Sequence, residues 1–318
     1  MTSYVALGDS FAAGVGAGRR RAGPYRTDAG YPVEVARRTG LEVAYQAVLG
    51  ATCADVVRDQ LRPLTRRTRL VTISLGGNDA GFVPVLLECV KPAWMSRSDE
   101  VVDEALALAR VELPSRLRTV HEAVGTAAPD ARVVVTGYPH LFNGVSDCHP
   151  LTFVTVAEMR RLAEAADVLH GILAEAAHEA GAEVVDVRER FAGHLVCDSP
   201  EWLNGLTWPL EESYHPNLAG HVAYAGAVLD ALELDPLLGP VTEELPVRVR
   251  GGRCVGTAPT FRLPDLLSGA SLDGAAAHGL DPDQVADLAR CVRDTDNPRE
   301  RRLEAAAELQ EMHATVVR

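Results

Sequence analysis

The sequence is short of positive charge, and of lysine above all. Its 318 residues carry 31 Lys and Arg against 44 Asp and Glu, a formal net charge of -13, and Lys91 is the single lysine. Nucleic-acid binding relies on concentrated Lys and Arg, so we expect no nucleic-acid partner. Aromatic residues are also few, at 5%, but 47% hydrophobic and 24% charged residues are typical of a globular protein rather than of a disordered chain or a coiled coil.

Long apolar runs are absent too. No stretch approaches eighteen uninterrupted apolar residues, so we expect no membrane span. The chain begins without the basic start, apolar stretch and cleavage site of a secretory signal, because a predicted strand starts at Tyr4. We therefore expect a cytoplasmic protein, unless a leader was removed and replaced by Met1.

Several motifs of metal and cofactor chemistry are missing. The six cysteines contain no C-x-x-C pair, so a structural zinc site is not expected. The run GVGAGRRR lacks the third glycine of a dinucleotide-binding fingerprint, and no G-K-[ST] of a phosphate-binding loop occurs. The G-x-S-x-G pentapeptide of a nucleophile elbow is absent as well. We expect neither a metal nor a cofactor.

Short apolar segments alternate with helical patterns along most of the chain. The predicted strands are YVAL, LEVAYQAVLG, RLVTISLGGND, ARVVVTGYP and AEVVDVRERF. The predicted helices are YPVEVARRTG up to Gly40, ADVVRDQLRPL up to Pro63, residues 99–128, a segment from TFVTVAEMRR to Gly181, and HPNLAGHVAYAGAVLDAL. This alternation predicts an α/β fold, with a doubly wound, parallel, five-stranded sheet flanked by helices.

Ligands of such a sheet bind beyond the carboxyl ends of its strands. Ser10, Gly50 and the pair Gly77-Asn78 each follow a predicted strand directly. Because the carboxyl ends of parallel strands meet at one edge, we expect these three separate segments to meet at one crevice.

The pattern changes after about Leu234. A mixture of Pro, Gly and alternating residues in ELDPLLGPVTEELPVRVRGGRC predicts a small hairpin, and DPDQVADLARCVRD and PRERRLEAAAELQEMHATVV predict two amphipathic helices. This tail is short for an independent fold. We therefore expect one α/β domain over residues 1–234 and a mainly helical extension or cap over residues 235–318 that packs on it.

The triplet Gly8-Asp9-Ser10 places a hydroxyl at the end of the first strand. Serine is a weak nucleophile without a base, and an acyl oxyanion needs preorganised donors. His215, in ESYHPNLAGH, is the strongest candidate base because it lies in a loop, before a proline and near Glu212. The alternatives are a plain turn at Ser10, capping the next helix, and a buried or capping role for His215.

Four pieces of the sequence, in order, resemble the sequence blocks of the SGNH hydrolases, also called GDSL-type esterases and lipases: ALGDSFAAGVG, AVLGATCADV, ISLGGNDAGF and SYHPNLAGH. The resemblance covers most of residues 1–234 and implies a flavodoxin-like sheet. It implies that Ser10 is the nucleophile and His215 the base. The backbone N–H groups of Ser10 and Gly50 and the side-chain amide of Asn78 would bind the oxyanion. VVVTGYPHLF and FAGHLVC resemble the secreted actinobacterial branch of the family.

The position three residues before the histidine departs from the pattern. Many family members carry there an Asp that orients the ring, whereas this chain has Glu212. Glu212 could still reach His215 and complete a triad. In the secreted branch a backbone carbonyl just before the histidine can replace the carboxylate and leave a dyad, and Glu212 would then be an exposed residue near a helix start. The sequence leaves these arrangements open.

The cysteines depart from the pattern as well. Secreted relatives usually carry three disulfides, and the resemblance implies that Cys148 pairs with Cys197. Where a partner for Cys53 is expected, the chain has Tyr25, and Cys89 lacks an obvious near partner. Together with the missing signal, these losses favour an intracellular descendant of a secreted-type fold.

Three other features favour structural interpretations. Asp9 beside the nucleophile is expected to hold loops by hydrogen bonds rather than to carry protons. The run Arg19-Arg20-Arg21 is expected to be a solvated surface. His194, in FAGHLVC, has no second ligand at metal-site spacing and is expected to be structural.

Together these features predict a serine-dependent carboxylic ester hydrolase that acts on small-molecule or acyl esters through a covalent acyl-enzyme. One alternative is an acyltransferase that uses the same site with an alcohol or amine acceptor, as in secondary metabolism. The other is a catalytically silent binding protein, which would have lost Ser10, Asn78 or His215, and all three are present. An ordinary histidine base predicts activity that rises around pH 6 to 7. The acyl chain, the alcohol and the oligomeric state stay open.

Overall fold

Five short strands form where the sequence carries apolar segments. The computed structural model describes residues 3–18, 25–145, 147–233 and 255–317. Its strands are β1 (Tyr4–Gly8), β2 (Val43–Tyr45), β3 (Leu70–Ser74), β4 (Arg132–Thr136) and β5 (Glu183–Val185). They pair in parallel in the order β2-β1-β3-β4-β5. The predicted doubly wound parallel sheet is confirmed.

Helices connect these strands and follow them. The helices are α1 (Tyr31–Thr39), α2 (Cys53–Asp55), α3 (Phe82–Cys89), α4 (Ser98–Ala127), α5 (Val156–Glu179), α6 (Arg188–Phe191), α7 (Leu218–Ala231), α8 (Gly269–Ala277), α9 (Pro282–Arg293) and α10 (Arg299–Val316). Helix α1 ends at Gly40, whose left-handed backbone stops it as expected. Among the described residues, none of the helices has the length and apolar character needed to cross a bilayer.

Both faces of the sheet are covered by helices. Successive side chains of β1 point to opposite faces, and all five residues of the strand are buried. Tyr4 and Ala6 belong to one apolar cluster with residues of α1 and α7, while Val5 and Leu7 belong to a second with residues of α4 and α5. A strand buried on both sides reads as a continuous apolar run, which is why YVAL is recognisable in the sequence.

Three elements differ from the predictions. Helix α3 was not predicted, because its sequence FVPVLLEC contains a proline and too few polar residues to separate a helix from a strand. The segment RERF was predicted as part of the fifth strand and is instead helix α6. Asp186 causes this turn, because its carboxylate accepts the backbone N–H of Arg188 at 3.0 Å. The helix predicted up to Pro63 is shorter than expected. After α2 the chain forms a single π turn over Val56–Gln60, and the helical segment ends there.

The described part of the C-terminal extension contacts the rest of the chain through an apolar cluster. Trp94 and Phe153 lie in this cluster with buried residues of α8, α9 and α10. The indole N–H of Trp94 donates to Ser271 Oγ at 3.2 Å, and the backbone N–H of Ala93 donates to His313 Nδ1 at 2.9 Å. The segment predicted as a hairpin lies almost wholly outside the described residues.

Candidate active site

Ser10 lies at the carboxyl edge of the sheet because β1 stops there. Gly8 has φ +129°, and a Cβ at this position would lie 2.1 Å from the Ser74 carbonyl oxygen of the neighbouring strand, so only glycine fits. The side chain of Gln60 binds Gly8 on both sides, accepting its N–H at 2.8 Å and donating to its carbonyl at 2.9 Å. Asp9 N–H donates to Ser74 O at 2.9 Å. The chain is thus fixed up to Ser10, which is 7% exposed.

One cavity at this edge is lined by four of the residues that the sequence singled out. These are Ser10 after β1, Gly50 in the loop after β2, Asn78 after β3 and His215 in the loop before α7. They come from four segments that are far apart in the sequence. The parallel topology brings their strand ends together, as expected.

Gly50 and Asn78 are held by one another's loops. Gly50 has φ +73°, a left-handed conformation that favours glycine. The Asn78 side chain donates from Nδ2 to the Ala51 carbonyl at 2.9 Å, which fixes the orientation of its amide beside the Gly50 loop. An amide NH₂ group carries two hydrogens, so the second one is available to another acceptor.

His215 is held in one tautomer by its own loop. Its Nδ1 lies 2.9 Å from the backbone carbonyl of Ser213, and a carbonyl can only accept, so Nδ1 carries the hydrogen and Nε2 the lone pair. Tyr214, between the two, has φ +60°, which is uncommon outside glycine. Burial lowers the pKa of His215 to about 4. This lowered pKa predicts that the ring becomes neutral at a lower pH than an ordinary histidine, so the structure moves the expected rise in activity below pH 6 to 7.

Glu212 lies elsewhere than the triad arrangement requires. Its carboxylate accepts a hydrogen bond from the Tyr25 hydroxyl, and its backbone carbonyl accepts one from Asn204 Nδ2 at 3.3 Å. Because the Nδ1 hydrogen of His215 goes to Ser213, the inclusion of Glu212 among the catalytic residues is corrected. Tyr25, which stands where a partner for Cys53 was expected, instead joins the loop before α1 to the histidine loop.

Asp9 is a buried carboxyl at the centre of the strand ends, and it is 2% exposed. It accepts the backbone N–H of Phe11 at 3.0 Å and the hydroxyl of Tyr138 at 2.6 Å. The Tyr138 oxygen accepts the N–H of Gly77 at 3.1 Å in turn. Burial raises the pKa of Asp9 to about 7. These bonds join the ends of β1, β3 and β4, in line with the structural role expected for Asp9.

The glycine-rich loop after Ser10 lies against the histidine loop. A Cβ on Gly16 would lie 2.7 Å from the Pro216 carbonyl oxygen and 3.3 Å from His215 Cβ. Gly16 therefore packs its backbone beside the ring, where a side chain would not fit. The arginines at positions 19 to 21 lie outside the described residues. His194 stacks on Trp202 with ring centroids 3.8 Å apart and hydrogen-bonds the Pro200 carbonyl at 2.8 Å.

The cavity continues inward as an apolar pocket between three helices. Its walls are aliphatic side chains of α3, α4 and α5, among them Val83, Leu86, Val102, Leu106, Leu162 and Leu169. An apolar pocket with a few polar groups at one end suits a ligand with a hydrocarbon part and one reactive group.

Several residues of the cavity escaped the sequence reasoning. Tyr138 lies two residues after β4, in the stretch TGYP, so its position near a strand end was a usable signal. Pro259, Thr260 and Phe261 line the cavity from the C-terminal extension, and nothing local in the sequence indicates this contact.

The cysteines confirm the pair that the resemblance implied. Cys148 and Cys197 form a disulfide with Cα atoms 5.7 Å apart. Cys53 and Cys89 are buried free thiols, and Cys254 lies outside the described residues. His149 lies close to the disulfide, but sulfurs joined in a disulfide are not the thiolates that bind metals.

The chain is similar to known lipases over most of its length. The sequence model of the GDSL-like lipase/acylhydrolase family matches residues 6–223. The chain is 37% identical over 228 residues to a lipase of Streptomyces rimosus, covering 69% of this chain and 82% of that protein. It is also 37% identical over 224 residues to Lipase 1 of Streptomyces coelicolor, covering 68% and 81%.

Solved structures of Streptomyces enzymes are also similar to this chain. The extracellular lipase of Streptomyces rimosus superimposes with a TM-score of 0.67 and 34% identity, over 73% of this chain and 100% of that one. The phospholipase A1 of Streptomyces albidoflavus NA297 superimposes with a TM-score of 0.67 and 34% identity, over 72% and 98%. Since the family match ends at residue 223, it does not include the C-terminal extension.

Proposed function

The chain belongs to the GDSL-like lipase/acylhydrolase family and is an ester hydrolase, and we propose that it works through a covalent acyl-enzyme on Ser10. The observation that carries this proposal is the convergence of Ser10, Gly50, Asn78 and His215 on one cavity. A nucleophile, a neutral base and donors for an oxyanion are the three parts that acyl transfer needs.

In the first half of the reaction, Nε2 of His215 takes the proton of Ser10 as the serine oxygen attacks the ester carbonyl. The negative charge that develops on the carbonyl oxygen is stabilised by the backbone N–H groups of Ser10 and Gly50 and by the Asn78 amide. Protonated His215 then gives its proton to the departing alcohol oxygen. The ester C–O bond breaks and the acyl group stays on Ser10.

In the second half, water replaces the alcohol. Neutral His215 takes a proton from the water as it attacks the acyl carbonyl, and the same donors stabilise the oxyanion. The proton returns to Ser10 as the acid leaves, so the enzyme is restored with no net change in protons.

The His215 ring is oriented by a backbone carbonyl and not by a carboxylate. The Ser213 carbonyl fixes the ring orientation, but it carries no full charge to stabilise the imidazolium. Burial favours the neutral ring and lowers the pKa of His215, and the hydrogen bond to the Ser213 carbonyl offsets this shift only in part. We therefore propose a Ser10-His215 dyad.

The substrate class follows from the apolar pocket. The aliphatic side chains of α3, α4 and α5 that line the pocket suit the acyl chain of a lipid-like ester whose carbonyl lies at Ser10. The names of the similar proteins, lipases and a phospholipase A1, support this class.

We also propose that the protein works outside the cytoplasm. The Cys148–Cys197 disulfide supports an oxidising compartment, and the similar Streptomyces rimosus lipase is described as extracellular. The expectation of a cytoplasmic protein depended on the start of the chain and on the cysteines without partners. Fractionation of the producing cells tests the proposal: the protein with an intact disulfide is expected in the medium or cell envelope, and a reduced form in the cytoplasm would contradict it.

Steady-state hydrolysis of p-nitrophenyl esters of graded acyl length tests the catalytic proposal. Ser10→Ala and His215→Ala are each expected to lower kcat by at least about 10³-fold, because the nucleophile and base act as a unit. Ser271→Ala is the matched control, since this buried serine bonds Trp94 outside the cavity and should leave kcat unchanged. Full activity of Ser10→Ala would refute the assignment. Adding ethanol to the same assay measures acyl transfer, the alternative that shares this machinery.

A further inference from the structure

A short segment of the C-terminal extension runs along the candidate active site. We call residues 256–261 the strap. Its last three residues line the same cavity as Ser10 and His215. The strap lies beyond residue 223, where the family match ends, so the family pattern does not account for it.

One end of the strap is fixed on the Gly50 loop. The backbone N–H of Ala258 donates to the Gly50 carbonyl at 3.0 Å. Gly256 packs its backbone directly on this loop, since a Cβ there would lie 2.1 Å from the Leu49 carbonyl oxygen. Only glycine allows this approach, so the strap and the loop fit each other closely.

A buried carboxylate secures the same end. Thr257 donates both its backbone N–H, at 3.1 Å, and its hydroxyl, at 2.9 Å, to Asp55 Oδ2. Asp55 is fully buried, and its Oδ1 also accepts a hydrogen bond from the Arg58 guanidinium at 2.7 Å. Charge-assisted hydrogen bonds to a fixed carboxylate are stronger than neutral ones, so this end is firmly held.

The other end reaches the loop of the base. The Phe261 side chain is 6% exposed and packs edge-to-face on Tyr214, with ring centroids 5.1 Å apart. Tyr214 directly precedes His215. The strap therefore extends from the Gly50 loop to the histidine loop along the wall of the cavity.

We propose that the strap determines the size of the alcohol part of the ester, with Phe261 as the specificity-determining side chain. This inference rests on the proposed function, because it takes His215 as the group that protonates the departing alcohol oxygen. The alcohol must then leave on the side of the histidine loop, which is where Phe261 packs. In this proposal the acyl chain occupies the inward, apolar part of the same cavity, between α3, α4 and α5.

The chain offers a matched control for Phe261. Phe142 also packs on Tyr214, with ring centroids 5.7 Å apart, and it is buried to the same degree, at 5% exposed. Phe142 is not among the residues that line the cavity. Phe142→Ala therefore removes an aromatic contact of Tyr214 without enlarging the space for substrate.

The test measures kcat/KM for butanoate esters of methanol, phenol and 1-naphthol, with acid release followed by pH-stat titration. Dividing each variant value by the wild-type value for the same ester removes the intrinsic reactivity of the alcohol. Phe261→Ala is expected to raise the naphthyl-to-methyl ratio by about tenfold or more, the usual effect of freeing space for a few carbons. Phe142→Ala is expected to leave the ratio within about twofold of wild type.

Two results would overturn the proposal. An unchanged ratio in Phe261→Ala, or an equal change in both phenylalanine variants, would mean that Phe261 does not act on the alcohol. In Phe261→Ala, a change in preferred acyl length on p-nitrophenyl esters of graded length, with an unchanged naphthyl-to-methyl ratio, would place the strap on the acyl side. Failure of the proposed function would show differently, as full activity of Ser10→Ala.

A second pair of variants probes the strap without removing an aromatic ring. Thr257→Val deletes the hydroxyl bond to Asp55, whereas Thr257→Ser keeps it. The valine variant is expected to raise the naphthyl-to-methyl ratio by a smaller factor than Phe261→Ala, and the serine variant to match wild type. Identical ratios in the valine and serine variants would mean that this anchor does not hold the specificity wall in place.

Discussion

Nδ1 of His215 lies 2.9 Å from the backbone carbonyl oxygen of Ser213, two residues earlier in the same loop. This bond fixes the ring with Nε2 as its acceptor. It needs no other side chain, because Tyr214 adopts a left-handed conformation between the two residues. The loop itself therefore fixes the orientation of the ring, which a carboxylate does in a triad.

Replacement of Glu212 is expected to have little effect on catalysis. Glu212→Gln keeps an acceptor for the Tyr25 hydroxyl and leaves the Ser213 carbonyl in place, so kcat should stay within about threefold of wild type. Steady-state kinetics measure this, with Tyr25→Phe as the companion variant that removes the hydroxyl. A loss of about 10³- to 10⁴-fold would instead indicate a carboxylate that orients the base.

The pH profile is expected to be displaced to low pH. Burial holds the pKa of His215 at about 4, below its usual range, so the ring is already in its neutral, proton-accepting form by pH 6. We expect kcat/KM to rise as pH increases through about 4 to 5 and to change little between pH 6 and 8. Activity is measured only where circular dichroism shows a folded protein. A tenfold rise between pH 5.5 and 7.5 would show that the base titrates like an exposed histidine.

Loss of the Asn78 amide is expected to act on the transition state. Asn78→Ala should lower kcat by about 10²- to 10³-fold with little change in KM, if the amide donates to the developing oxyanion. Asn143→Ala is a suitable control, because Asn143 bonds Asp198 away from these residues and should leave kcat unaltered. A rise in KM with normal kcat would place Asn78 in ground-state binding instead.

The buried carboxyl of Asp9 is expected to make stability depend on pH. Burial raises the pKa of Asp9 to about 7, above the value of about 3.9 in an unfolded chain. The folded state therefore prefers the protonated form, and the contribution of this group to stability falls as pH rises from about 4 to about 7.

Urea denaturation of wild type and Asp9→Asn at pH 5 and pH 8 measures this effect. The free energy of unfolding of wild type minus that of the variant should be smaller at pH 8 than at pH 5. Effects of the substitution that do not depend on pH cancel in this comparison. A difference that grows with pH would mean that the carboxylate is stabilised, not penalised, in the fold.

Much of the sheet could be predicted because its strands are locally distinct. The buried strand β1 opens with the continuous apolar run YVAL, β3 is apolar apart from Thr72 and Ser74, and Gly40 ends α1 at the expected residue. By contrast, the sequence of α3 is too uniformly apolar to separate a helix from a strand, and the π turn over Val56–Gln60 ends at a side chain that bonds Gly8, 52 positions earlier. Such long-range bonds leave no trace in a local pattern.

The candidate site could also be predicted in part, because most of its residues lie just after strands. Ser10, Gly50 and Asn78 follow strands, and the order of the four sequence blocks added His215. The partner of the His215 ring was left open, because the choice between Glu212 and a carbonyl depends on the backbone conformation of Tyr214. The strap could not be predicted from the sequence, since its contacts join residues about 200 positions apart, such as Thr257 and Asp55.

The central claim is that Ser10 carries the acyl group, and mass spectrometry of the acyl-enzyme tests it most directly. The protein is mixed with p-nitrophenyl butanoate, quenched in acid within the first turnover and digested for peptide mapping. We predict one butanoyl group per chain, attached to Ser10, and no adduct in Ser10→Ala. A butanoyl group on another residue, or hydrolysis by Ser10→Ala at the wild-type rate with no adduct in either protein, would contradict the account.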